Sequence, residues 1–175
     1  MSAEADSAIH DQVVHQDEQT QETNRVILIP VDESQNSRYA IEWSIENFLR
    51  PKSDIVVLTH VRPLYVSSGT FATGYVDMGS YATTIEDQYR EGSHRLLKEY
   101  AHILKEKNIL CKAIAMRGDA REEILRKAVE LKADMVIMGS RGLGTLKRAL
   151  LGSVSDYCAH NLPMPLVIVK EKEKH

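Results

Sequence analysis

The sequence predicts an α/β fold: a five-stranded parallel sheet, ordered β-α-β-α-β-α-β-α-β along the chain, with helices on both faces. Two observations predict it. Five short, nearly continuous apolar runs recur between residues 25 and 170, as strands covered on both faces require. Segments of helical period separate them, and right-handed crossovers between such alternating units force the strands parallel. With 43% hydrophobic and 27% charged residues, a 175-residue chain has enough apolar surface for a sizeable core.

Residues 1–24 hold Glu4, Asp6, Asp11, Asp17, Glu18 and Glu22 and neither Lys nor Arg. The net charge of −3 therefore resolves into −6 on this segment and +3 on the rest. Its apolar residues are too scattered to offset the entropy of ordering, so it reads as a disordered acidic tail. The first strand follows at 26–31. Ile41, Ile45 and Phe48, spaced i, i+4 and i+7, give the first helix its apolar face. The second strand is 55–61.

Residues 63–83, with Gly69, Gly74 and Gly79, form the one long irregular connection, of a length seen in lids and in mobile connectors alike. The second helix spans about 84–107, with Tyr89, Leu96, Leu97, Tyr100, Ile103 and Leu104 as its apolar stripe. The third run, 110–116, alternates more than the others, which suits a strand nearer a sheet edge. Asp119 is the expected N-cap of the third helix, with Glu122 completing a capping-box pair, and Ile124, Leu125, Ala128 and Val129 form its core face. Residues 135–138 are the fourth strand. The fourth helix runs from Ser153 to about Asn161 and is stopped by Pro163 and Pro165. Leu166–Val169 is the last strand, so the folded body covers 25–170 and a charged end follows at 171–175.

Composition narrows the function classes. A body at +3 lacks the concentrated basic face of a nucleic-acid binder but suits a small anionic ligand. No run approaches the roughly 18 apolar residues of a membrane span, and the N-terminus lacks the pattern of a secretory signal. A cytoplasmic protein with neither nucleic-acid nor membrane partners is the expectation. Cys111 and Cys158, far apart in sequence, read as buried inert thiols. The seven histidines show no metal-binding spacing. Among them His60 reads as a core residue, and His94 and His102 as surface residues.

In an open α/β sheet the ligand lies beyond the carboxyl ends of the strands, where strand order reverses. The first strand runs into Pro30-Val31-Asp32-Glu33-Ser34, the second into His60-Val61-Arg62-Pro63 and the third into Gly118-Asp119. The fourth runs into Gly139-Ser140-Arg141-Gly142-Leu143-Gly144, followed by Gly152-Ser153-Val154-Ser155. Glycines let a backbone approach an anion closely. Ser153 and Ser155, at a helix start, set hydroxyls beside unpaired N–H groups and the helix dipole, and Arg141 or Lys147 adds charge. The same glycines equally serve a plain strand-to-loop turn. Two common fingerprints fit poorly: Lys147 replaces the third glycine of a dinucleotide motif, and Thr145-Leu146 stands where a P-loop needs Lys-Ser/Thr. Asp32 has two readings. It is a partner for a ribose or a metal, or it is a helix cap competing with Ser34, Asn36 and Ser37.

The spacing Gly139-x2-Gly142-x9-Gly152-Ser153, with the strand ends quoted above, resembles the universal stress protein family over about residues 24–170. The resemblance implies a Rossmann-like, ATP-binding, usually dimeric fold. It places the chain with the members that keep the glycine signature and bind ATP, apart from the universal stress protein A type that lacks it. It implies Asp32 on the ribose or on a metal at the phosphates, and Val61, Met116 and the Val31 backbone around the adenine. Gly139, Arg141 and Gly142 would surround the ribose and α-phosphate, and Gly152, Ser153, Val154 and Ser155 the outer phosphates. Pro30, Gly118 and Ser140 complete the implied nucleotide-binding set. The implied cofactors are ATP, ADP or AMP, which share base, ribose and first phosphate, with Mg2+ or Mn2+ bound through the phosphates.

No residue stands out to orient a water on the γ-phosphate, so none is assigned as catalytic. The expected function is a nucleotide-responsive stress or signalling module rather than a high-turnover enzyme. The alternatives are a slow ATPase and a nucleotide-independent dimeric scaffold. A homodimer through 165–169 is expected because an apolar edge strand is usually covered.

Overall fold

The structure, a computed structural model, describes residues 11–12, 25–64, 78–142 and 151–171. Its elements are β1 (Asp11–Gln12), β2 (Arg25–Pro30), α1 (Gln35–Asn47), β3 (Asp54–Arg62), α2 (Met78–Glu106), β4 (Leu110–Arg117), α3 (Ala120–Glu130), β5 (Met135–Gly139), α4 (Ser153–Asn161) and β6 (Leu166–Val169). Strands β2 to β6 form the expected five-stranded parallel sheet. The full order is β1-β4-β3-β2-β5-β6. The alternating third run is indeed the outermost parallel strand on its side. Beyond it, two residues of the acidic segment add an antiparallel strand, with Asp11 opposite Ala115 and Gln12 opposite Ile114. The rest of the expected 1–24 tail lies outside the described residues.

Successive strand residues point to opposite faces, and the core divides accordingly. Ile27, Ile29, Val56 and Leu58 pack against Ile41 of α1 and Leu97, Tyr100 and Leu104 of α2. Leu28, Val57, Met116 and Val136 pack on the other face against Ile124 and Ala128 of α3 and Cys158 of α4. Burial pushes both thiols, Cys111 and Cys158, up to about 11, so they are protonated and unreactive at neutral pH.

The amino end of the sheet is tied by a charged group. Asp54, 0% exposed, accepts from Arg25 Nε at 2.8 Å, Arg25 Nη2 at 2.6 Å and the Arg50 backbone N–H at 2.8 Å. Arg25 also lies over the Phe48 ring.

Three expectations are corrected. Helix α2 begins at Met78, so residues 78–83, Gly79 included, are helical rather than irregular, while residues 65–77 of the expected connection lie outside the described residues; a single glycine costs a helix only about 1 kcal/mol and is a weak loop marker. Tyr89 is 47% exposed rather than core. Glu86, one turn before it, pairs with Arg62 and Arg117, the last residues of β3 and β4, so the helix has there reached the sheet's carboxyl edge. Val129 is 52% exposed, because Ile124 and Ala128 set the buried stripe of α3 and Val129 lies about 100° further round. Lys127 occupies that stripe instead, its stem buried and its Nζ on Glu130 Oε1 at 2.7 Å.

Candidate functional site

The strand order reverses between β2 and β5, and their carboxyl ends therefore open side by side. A cavity of about 570 Å3 lies there. Its wall includes Pro30, Val31 and Asp32 after β2, Val61 of β3, Gly139, Arg141 and Gly142 after β5, and Gly152, Ser153, Val154 and Ser155 at the start of α4. Of the residues expected at the site, Met116, Gly118 and Ser140 are not part of this wall. Met116 is buried in the core cluster with Met138 and Ile124, which do line the cavity. Gly118 has φ +146° and donates its N–H to Arg62 O at 2.9 Å, so its glycine is explained by the turn into α3.

Ser140 acts through its backbone. Its N–H donates to Val169 O at 2.9 Å, and its carbonyl accepts from Gly152 N and Ser155 Oγ, both at 2.8 Å. It thereby ties the ends of β5 and β6 to the start of α4. Ser155 is thus a donor to the loop, its proton engaged within the protein. Helix α4 has Gly152 as N-cap, with no side-chain cap bond, and this end borders the cavity. The first-turn N–H groups, which Gly152 has no side chain to cap, and the helix dipole there favour an anion. Arg141 adds a guanidinium to the wall, and its buried Nε has no hydrogen-bond partner among the described residues.

The two readings of Asp32 separate in the structure. Ser34, not Asp32, caps α1, accepting from Ser37 N at 3.2 Å. Asp32 Oδ1 accepts from Ser34 N at 3.0 Å and from Ser37 Oγ at 2.6 Å, with Ser34 Oγ a further donor. The carboxylate is held in one orientation by the first turn of α1. Its Oδ2 faces the Gly142 backbone so closely that a Cβ added to Gly142 would lie 2.5 Å away. Gly139 meets backbone rather than a side chain: its added Cβ would lie 2.8 Å from both the carbonyl carbon and oxygen of Asn36 in α1. Each of these glycines is required by a close approach inside the protein itself.

Sequence reasoning missed Ser37, Thr59, Ala120, Ile124, Met138 and Leu151, which also line the cavity. Ile124 and Met138 were legible only as core residues, since nothing in a single sequence separates the floor of a cavity from the interior beneath it. His94, expected at the surface, is half-buried.

His60 lines the cavity and joins β3 to α2 through Nδ1 and Ser93 Oγ, 2.8 Å apart. Burial lowers its pKa below the ordinary 6.5, outweighing the opposing pull of Asp32 and Glu33. The unfolded chain then binds a proton that the folded one resists. Stability contributed by neutral His60 is complete above about pH 6.5 and is lost as pH falls below it. Urea midpoints measured from pH 8 to pH 5 should decline below that value, and more steeply in wild type than in His60→Gln. Equal slopes in the two proteins would refute the assignment.

The family model described as the universal stress protein family matches residues 23–170. The chain belongs to the universal stress protein family. Universal stress protein PHOS34 of Arabidopsis thaliana is 32% identical over 161 residues, covering 83% of this chain and 62% of that protein. The chain thus spans less than two thirds of that relative's length. The same fold occurs in MJ0577 of Methanocaldococcus jannaschii, with TM-score 0.71, 24% identity and coverage of 86% of this chain and 98% of that one. It occurs also in an Arabidopsis thaliana universal stress protein family protein solved with AMP bound, with TM-score 0.60, 20% identity and coverage of 85% and 93%. Within this universal stress protein no helix of the described residues is long and apolar enough to cross a membrane.

Proposed function

We propose that the cavity between β2 and β5 binds an adenine nucleotide, ATP foremost, and that the protein is a nucleotide-responsive module of the stress response rather than a high-turnover enzyme. The observation that carries this is the meeting, in one cavity, of an oriented carboxylate, Asp32, with the uncapped start of α4 at Gly152–Ser153. A carboxylate near a phosphate needs a hydroxyl or a cation between them, and a ribose supplies hydroxyls. The apolar side chains of Val61, Ile124 and Met138 suit the faces of a base, and the N–H groups of α4 with Arg141 suit phosphates.

AMP bound in a relative of the same fold supports the nucleotide class. No three His, Cys, Asp or Glu side chains among the described residues group to hold a metal, so Mg2+ or Mn2+ would be carried chiefly by the nucleotide's own phosphates. Strand β6 is an edge strand whose Leu166, Val167 and Ile168 are half-buried, and pairing of this edge with a second copy in the cytoplasm is part of the same reading.

Thermal unfolding of nucleotide-free protein with ATP, ADP or AMP, each with Mg2+, tests it. Ligand at a hundred times its Kd stabilises by about 2.7 kcal/mol, a rise in Tm of roughly 5–11 °C for a chain of this size. Asp32→Asn keeps an acceptor toward Ser34 and Ser37 while removing the charge, and should lose most of that rise. Absence of a shift with all three nucleotides would refute the proposal, and equal shifts for AMP and ATP would refute the triphosphate preference.

A further inference from the structure

The floor of the cavity carries a group that packing alone does not account for. Thr59 of β3 is 0% exposed, lines the cavity, and its Oγ1 has no hydrogen-bond partner among the described residues. Side chains alternate along a strand, so Thr59 shares a face with Val57 and Val61. Both valines pack in the cluster that contains Ile124 and Met138, and these two also line the cavity. The Thr59 backbone is already committed, its carbonyl accepting from Val31 N at 2.8 Å. Only the hydroxyl is left over. Valine has nearly the same shape and stands two residues away on either side, so a threonine here adds a buried polar group that would be costly without a partner.

We infer that the Thr59 hydroxyl is a base-contacting group of this cavity, meeting the polar edge of a purine whose faces lie against the neighbouring apolar side chains. This rests on the nucleotide reading given above. A hydroxyl both donates and accepts, so it can meet a ring nitrogen or an exocyclic amine. The apolar walls supply contact without direction, and Thr59 supplies a direction.

The test compares wild type, Thr59→Val and Thr59→Ser, using AMP and, separately, ribose 5-phosphate. Thr59→Val is expected to bind AMP roughly tenfold more weakly, as loss of one buried hydrogen bond implies, and Thr59→Ser to retain most of the affinity. Ribose 5-phosphate, which has no base, should act equally on all three proteins. The unliganded Tm of Thr59→Val should be unchanged or higher, since an unpartnered buried hydroxyl is removed. Unchanged AMP affinity in Thr59→Val, a proportional loss with ribose 5-phosphate, or a lower unliganded Tm would each overturn the inference. If wild type itself binds no adenine nucleotide, the underlying reading of the cavity fails, which is a different result from a wild type that binds and a variant that binds equally well.

Discussion

Arg25→Ala lowers stability by about 3 kcal/mol, read as a fall of roughly 6–12 °C in Tm or as an earlier urea midpoint. The cause is what it leaves behind. Asp54 is fully buried at the start of β3, and among the described residues two of the three hydrogen bonds to its carboxylate come from the Arg25 guanidinium. Removing the cation leaves a buried carboxylate with a single backbone donor. The figure sits at the lower end for a broken buried pair because Arg25 itself is partly exposed and water can enter where it stood. Arg25→Lys should recover only part of the loss, since an ammonium cannot reproduce the two-pronged contact. The double variant Arg25→Ala/Asp54→Ala should be less destabilised than the sum of its parts. A change within about 0.5 kcal/mol for Arg25→Ala would mean that Asp54 is hydrated in solution.

Gly139→Val is expected to destabilise by about 3 kcal/mol before any ligand is considered, the upper range for overpacking a close contact. The added Cβ would meet the Asn36 backbone at 2.8 Å, and backbone in the first turn of α1 cannot step aside as a flexible side-chain end can. Loss of nucleotide binding in this variant would follow from displacement of α1 and of the Asp32 carboxylate that its first turn orients. Asp32→Asn is the cleaner probe of binding. Gly139→Ala separates the two effects: it carries the same Cβ with less bulk, so its Tm should fall by less than that of Gly139→Val. Normal stability in Gly139→Val would show that α1 does not pack as closely against the end of β5 as the structure has it.

Much of this architecture is legible in the chain because it is written locally. The apolar runs became β2 to β6 with ends shifted by a residue or so, and Asp119 caps α3 by accepting from Arg121 N. Periodicity assigns a side chain to a face of its own element; it does not say whether a neighbour is present there. Tyr89 and Val129 belong to apolar patterns and yet face outward, the one near the sheet's carboxyl edge and the other beside the stripe that Lys127 fills. Gly79 belongs to a glycine-marked stretch and yet lies in the first turn of α2, where one glycine costs little.

The sequence by itself determined the alternation of strands and helices, the family through the glycine spacing and strand ends, and the set of segments from which a site would be drawn. Only the tertiary structure decided what each residue in those segments does. Gly139 and Gly142 are small because α1 and Asp32 press on them, Ser140 and Ser155 bind the loop to α4, and Thr59, silent in the sequence, lies on the cavity floor. The physical reason is distance along the chain. Propensity, capping and side-chain period act within a few residues, whereas Gly139 against Asn36 and Gly142 against Asp32 are contacts across about a hundred residues that exist only once the sheet has brought β2 and β5 side by side.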